Sequence, residues 1–200
     1  QRIADEDPTV VMEKDTEGRQ LLVKCMGEIH LDHVMKKLEA KYGVKAKLEK
    51  PYIPYRETIR GSVEIEGKHK KQSGGHGQYG HVKVQIAPSP TGEFSFVDKI
   101  FGGSVPRQYI PAVEKGVVET LEKGLLAGFP MIGVEVTLLD GSYHSVDSSE
   151  LAFKVAAAQA LKKGVPQAKP VLLEPVYDVN VFAPDEFMGD IMGDLSSRRG

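Results

Sequence analysis

The sequence predicts an α+β protein in which a central domain lies between two partial units. Three observations carry this. Segments alternating apolar and polar residues (period 2, strands) sit in the same chain as segments with apolar residues three and four apart (helices). Two proline-bearing connectors, Lys50-Pro51-Tyr52-Ile53-Pro54 and the stretch 164–175, divide the chain, because each proline holds the residue before it in extended conformations. Each outer segment also holds too few elements to cover a sheet by itself.

In the first unit, Arg19 to Cys25 reads as a strand. Glu28 to Lys41 reads as a helix carrying Leu31, Val34, Met35 and Leu38, with Tyr42 extending the stripe and Gly43 as its stop. Val44 to Lys50 alternates and is expected to be a strand. In the central unit, strands are expected near Tyr55–Glu66, His81–Ala87 and Glu93–Phe101, with Pro88-Ser89-Pro90-Thr91-Gly92 as a turn. A helix opening at Pro111 follows, with Val113, Val117 and Leu121 on one face and Gly124 at its end. Met131 to Leu139 is a further strand. Ser148 to Lys163 is a helix containing Leu151, Val155 and Leu161 beside an alanine-rich face, with Asp147 expected as N-cap and Glu150 completing a capping box. The order is β-β-β-α-β-α, a sheet covered by two helices. In the last unit, Val176 to Ala183 alternates as a strand and Pro184-Asp185-Glu186 opens a helix through about Leu195. One strand and one helix cannot bury a sheet face, so the chain is expected to belong to a longer protein.

Composition narrows the function. The chain has 200 residues, 40% of them hydrophobic, and a formal net charge of −2, which suits globular domains with real cores. A lone cysteine, Cys25, admits no internal disulfide, and no stretch approaches the roughly 20 apolar residues of a membrane span. Charge is unevenly spread: between Lys68 and Lys83 there are four lysines and three histidines and no acidic residue. On charge alone this is either a local footprint suited to phosphate or a solvated hairpin whose lysines serve solubility.

Within that window lies G-H-G-Q-Y-G, matching G-x-G-x-x-G at Gly75, Gly77 and Gly80. A dinucleotide loop must open a helix, because the pyrophosphate sits on the helix N-terminus. Here His81 to Ala87 follows as a strand, so the glycines join two strands instead. A second glycine-led loop, Asp140 to Asp147, contains Ser142, His144 and Asp147. A nucleophilic triad of these three is one reading, but no G-x-S-x-G elbow is present. His30 and His33 lie three apart on a helix without the further ligands a metal needs, and no GxxxxGK[ST] loop occurs. What remains is two exposed loops: Gly74, Gly75, His76, Gly77, Gln78 and Tyr79 in one, Gly141, Ser142, Tyr143 and His144 in the other. Amide and imidazole groups hydrogen-bond base edges and 2′-hydroxyls, aromatic rings stack on bases, and glycines let a backbone approach phosphates, so this set suits RNA.

The strings MGEIHLDHVMKKLEAKYGV, PYRETIRG, KHKKQSGGHGQYGHV, GGSVPRQYIPAVEKGV, GSYHSVDSSELAFKVAA, AKPVLLEPV and GDLSSRRG, in this order, closely resemble bacterial elongation factor G over nearly the whole chain. The resemblance implies the end of domain III at 1–52, domain IV at 53–168 and the start of domain V at 169–200. It also implies ferredoxin-like partial domains at either side and a left-handed crossover in the centre. The parent would be a cytoplasmic, monomeric, ribosome-dependent GTPase. Its GTP and magnesium would belong to a GTP-binding domain upstream, leaving this segment without catalytic residues, metal or cofactor. The two loops would form the tip that meets the tRNA–mRNA duplex and ribosomal RNA in the small-subunit decoding region, with Gln78 and His144 matching the family's tip glutamine and histidine. His76 stands where the family commonly has arginine. That difference leaves both a main translocase and a ribosome-recycling or ribosome-protection paralogue open, since histidine at its reference pKa of about 6.5 is mostly neutral at pH 7.

Overall fold

The structure, a computed structural model, describes residues 2–15, 20–72 and 77–200. The expected α+β organisation is present. In the first unit, helix α1 (Arg2–Glu6) precedes strands β1 (Val11–Asp15) and β2 (Gln20–Lys24), which pair antiparallel from Val11↔Lys24 to Asp15↔Gln20. Helix α2 (Glu28–Tyr42) ends at Gly43, whose φ of 66° is the left-handed conformation that glycine adopts without strain. Ile3, Val10 and Val34 form a small core with Val23, Leu38 and Tyr42 against it. Glu6 clamps α1 to α2. Hydrogen bonds from Lys41, then Lys37 and the Tyr42 hydroxyl, lower its pKa to about 2. The alternation at Val44–Lys50 does not produce a strand: the segment is irregular, because no described neighbour offers it a backbone ladder.

The central unit contains β3 (Arg56–Ile59), β4 (Val63–Lys71), β5 (Gln78–Pro88), β6 (Ser95–Asp98), α3 (Ile110–Lys123), β7 (Val134–Ser142), α4 (Glu150–Gly164) and β8 (Pro170–Leu173). The single strand expected at Tyr55–Glu66 is therefore two, separated by a bend at Arg60-Gly61-Ser62, and the second runs on through the basic residues to Lys71. β3 pairs antiparallel with β8, while the main sheet has the order β4-β5-β7-β6. Its β4–β5 and β5–β7 junctions are antiparallel. The β6–β7 junction is parallel, as a strand pair joined through a crossover helix must be.

One face of this sheet carries the core. Val82, Val84 and Ile86 of β5 and Val134, Val136 and Leu138 of β7 pack with Val113, Val117 and Leu121 of α3 and with Phe153, Ala156, Ala157, Ala160 and Leu161 of α4. The alanine-rich face of α4 is the one that meets the sheet, whereas Leu151 is exposed. Small residues on both sides let the helix lie against the strands. A Cβ on Gly67 would stand 2.0 Å from the Ala156 carbonyl oxygen, and one on Gly80 2.5 Å from that of Ala152. The opposite face of β4–β5 is a polar ladder in which Lys83 pairs with Glu64 at 3.0 Å and His81 faces Glu66 at 3.5 Å.

Glu57 on β3 is fully buried, and its carboxylate accepts five backbone N–H groups, from Leu125, Leu126, Ala127, Gly128 and Phe129, at 2.6–3.0 Å. Burial pushes its pKa up, but the ring of amides outweighs this and holds it below the ordinary carboxylate value. In the last unit the residues Val176–Ala183, expected as a strand, are irregular and largely exposed. A 3₁₀ turn at Asp185–Phe187 then leads into α5 (Met188–Ser197). Among the described residues no helix is long and apolar enough to cross a membrane.

These packing and hydrogen-bonding arrangements set the stability of the central unit. Glu57→Gln leaves donors facing donors and is expected to cost about 3 kcal/mol in urea unfolding. Because the folded pKa of Glu57 is depressed, its contribution is complete above the unfolded carboxylate value of about 4.3 and is lost as pH falls through the lower folded value. Acid titration of stability should lose that part of its slope in the variant. Gly67→Ala and Gly80→Ala should each cost about 2 kcal/mol by driving α4 from the sheet, measured as a lowered thermal midpoint.

Candidate nucleic-acid interface

Both loops singled out in the sequence emerge at the same end of the main sheet. One joins β4 to β5. The other leaves the end of β7 at Ser142 and enters α4. Gly74, Gly75 and His76 lie outside the described residues; the rest of the set is defined.

The start of β5 and the second loop are bonded through the main chain. Tyr79 N–H donates to the Asp147 carbonyl at 2.8 Å, and the Ser148 hydroxyl donates to the Tyr79 carbonyl at 2.9 Å. The Asp147 carboxylate accepts the Gly77 N–H at 3.0 Å. This corrects the expected helix cap. Asp147 clamps the first loop, and Ser149 caps α4 by accepting from Ala152 N–H at 3.2 Å. Glycine at 77 is what permits the clamp, since a Cβ there would lie 2.8 Å from the Asp147 carboxyl carbon. Gly141 is likewise held between strands: its Cβ would stand 2.4 Å from the His81 carbonyl oxygen and 2.5 Å from Val105.

Side chains add a second link. The Tyr79 hydroxyl and the Ser142 hydroxyl are 2.8 Å apart, and His81 Nδ1 lies 2.9 Å from the same serine oxygen. Lys68 Nζ stands over the Tyr79 ring at 5.7 Å, and the ring of His144 lies 6.4 Å from that of Tyr79. The grouping of Ser142, His144 and Asp147 into a triad is not built. Ser142 is bonded to Tyr79 and His81 across the strands, while His144 Nδ1 accepts from the N–H groups of Val146 at 3.4 Å and Asp147 at 3.3 Å. His144 Nδ1 also stands 3.5 Å from the Asp147 carboxylate, so the ring is tied to its own loop and not to Ser142. The His144 side chain is 56% exposed, and Tyr143 is exposed beside it.

Gln78 is half-buried, with its Oε1 2.9 Å from His69 Nε2. His69, His81 and the clamp at Asp147 were absent from the sequence-based site. The β4–β5 register, His69↔Gly80 and Lys71↔Gln78, is the signal that could have found His69. Lys68, Lys70 and Lys71 lie on β4, and among the described residues Lys70 and Lys71 have no ionic partner. The same end of the molecule therefore presents aromatic, amide and imidazole groups beside cations that have no ionic partner among the described residues. Among the described residues no group of three or more His, Cys, Asp or Glu is arranged to hold a metal.

Comparison with known proteins identifies the family of the chain. Residues 1–50 match the family model for elongation factor G domain III, residues 51–169 that for elongation factor G domain IV, and residues 171–200 that for the elongation factor G C-terminus. The chain is 54% identical over 200 residues to an elongation factor G-like protein of Thermotoga maritima, covering 100% of this chain and 29% of that relative. A crystal structure from Thermus thermophilus superposes with a TM-score of 0.82 at 45% identity, covering 99% of this chain and 30% of that one. The chain thus spans less than a third of the length of these relatives. With matches across all three of its units, the chain belongs to the elongation factor G family.

Proposed function

We propose that this segment serves a ribosomal translocase by inserting the end of its main sheet against the tRNA–mRNA duplex in the decoding region of the small subunit. Support comes from one observation above others: Gln78, Tyr79, Tyr143 and His144 are gathered on two mutually bonded loops at one end of a rigid sheet. In A-form RNA the minor groove is wide, shallow and accessible, and side chains of this kind read it through hydrogen bonds. The role is steric and hydrogen-bonding. The duplex is held in register while the ribosome's own grip is released, and GTP hydrolysis occurs in a separate domain of the whole protein. Ribosomal RNA meets the flanking lysines, which supply sequence-independent attraction.

A second reading is a ribosome-recycling or ribosome-protection factor that uses the same tip. It is left open by His76, which stands where the family commonly has a permanently charged arginine. Translocation by the full-length parent separates the two, since a recycling factor would not move the duplex.

Gln78→Ala combined with His144→Ala in the full-length parent should slow single-round translocation at least tenfold, with ribosome-stimulated GTP hydrolysis preserved. That is the order expected when two hydrogen bonds of about 1 kcal/mol each are removed. Unchanged translocation would sink the tip assignment. The 200-residue chain should bind RNA weakly, with affinity falling steeply as salt rises. Replacing Lys70 and Lys71 with alanine should flatten the log–log salt slope by about 0.7–0.9 for each phosphate no longer neutralised.

A further inference from the structure

Both tip residues are engaged by neighbours. The His144 ring is held through Nδ1 by its own loop, at the Val146 and Asp147 N–H groups and 3.5 Å from the Asp147 carboxylate. Gln78 turns its carbonyl oxygen to His69 Nε2. A glutamine amide has one acceptor end and one end with two donors, so engagement of the oxygen leaves the NH₂ group as the end available to a ligand. Among the described residues that nitrogen has no partner. His69 can fill this role from β4 because it sits one diagonal step from Gln78 in the β4–β5 register, on the same face of the sheet and half-buried. The contact with the Gln78 oxygen requires the His69 proton on Nε2.

We propose that His69 is a positioning residue that fixes the Gln78 amide with its donors outward, making the tip a donor surface for the acceptor edge of an A-form minor groove. The acceptors are purine N3, pyrimidine O2 and the 2′-hydroxyl oxygen. The inference rests on the RNA-binding reading above and deepens it: the ligand is recognised by its acceptors, and a glutamine free to flip would present its oxygen to them for part of the time.

The test uses the 200-residue chain and a short blunt RNA duplex at low salt, with affinity read by fluorescence anisotropy for the parent, His69→Ala, His69→Gln, Gln78→Ala and the His69→Ala/Gln78→Ala double variant. ¹⁵N NMR of the parent reads the His69 tautomer. Loss of His69 should weaken binding about three- to tenfold, the value of one hydrogen bond. His69→Gln, which can also donate, should recover most of that loss. The double variant should be no weaker than Gln78→Ala, because His69 acts through Gln78, and the free chain should carry the His69 proton on Nε2. Full additivity of the two losses, parental affinity in His69→Ala, or a proton on Nδ1 alone would each overturn the assignment. If Gln78→Ala itself binds like the parent, the RNA reading for Gln78 falls with it. If Gln78→Ala weakens binding and His69→Ala does not, only the positioning role falls. The tautomer measurement decides the point even should His69→Ala disturb the fold.

Discussion

The close approach of α4 to β4 and β5 is the constraint from which the rest of the central unit follows. Gly67 and Gly80 on the strands meet a helix face made of Ala152, Ala156, Ala157 and Ala160, so helix and sheet backbones come nearer than larger side chains would allow. Protein interiors are packed as densely as organic crystals, and here that density fixes both the axial position and the rotation of α4. The helix is capped by Ser149, directly after the loop that contains His144 and Asp147. Setting the helix therefore sets the loop. Dispersion and apolar burial along the helix become the placement of a hydrogen-bonding ring at the surface.

The tip inherits its rigidity from this arrangement rather than from its own sequence. Functional groups held on regular elements are positioned more closely than groups on free loops. Here the second loop is tied to β5 by Tyr79 N–H, the Ser148 hydroxyl and the Asp147 carboxylate together. Tyr79 also joins Ser142 and lies beneath Lys68, so one aromatic residue connects β4, β5 and β7 at that end of the sheet.

The strands with buried alternation were legible because burial and periodicity coincide. Val82, Val84 and Ile86 read as a strand and are one, and the same holds for α3 with Val113, Val117 and Leu121. Two of the failures share a cause. Val44–Lys50 and Val176–Ala183 alternate as well, yet a strand requires a partner's backbone groups, which local pattern does not encode. The extension of β4 through Lys68, His69, Lys70 and Lys71 was hidden for the opposite reason: the partner exists, but polar side chains conceal the alternation. The cap at α4 was misread because three adjacent residues, Asp147, Ser148 and Ser149, all suit that position, and tertiary bonds recruit the first two elsewhere. Gln78 and His144 were visible only as polar residues in glycine-led loops and through family resemblance. Their mutual arrangement, and the role of His69, required the register of β4 on β5.

The buried carboxylate of Glu57 distributes information unevenly along the chain. Among the described residues it is met by main-chain N–H groups alone, and every residue except proline supplies one. The segment 125–129 can thus exchange most of its side chains while keeping its shape, whereas its template, a single acid far earlier in the chain, has no substitute of equal charge and reach. Variation among relatives should then accumulate in the loop and be nearly silent at the strand that moulds it.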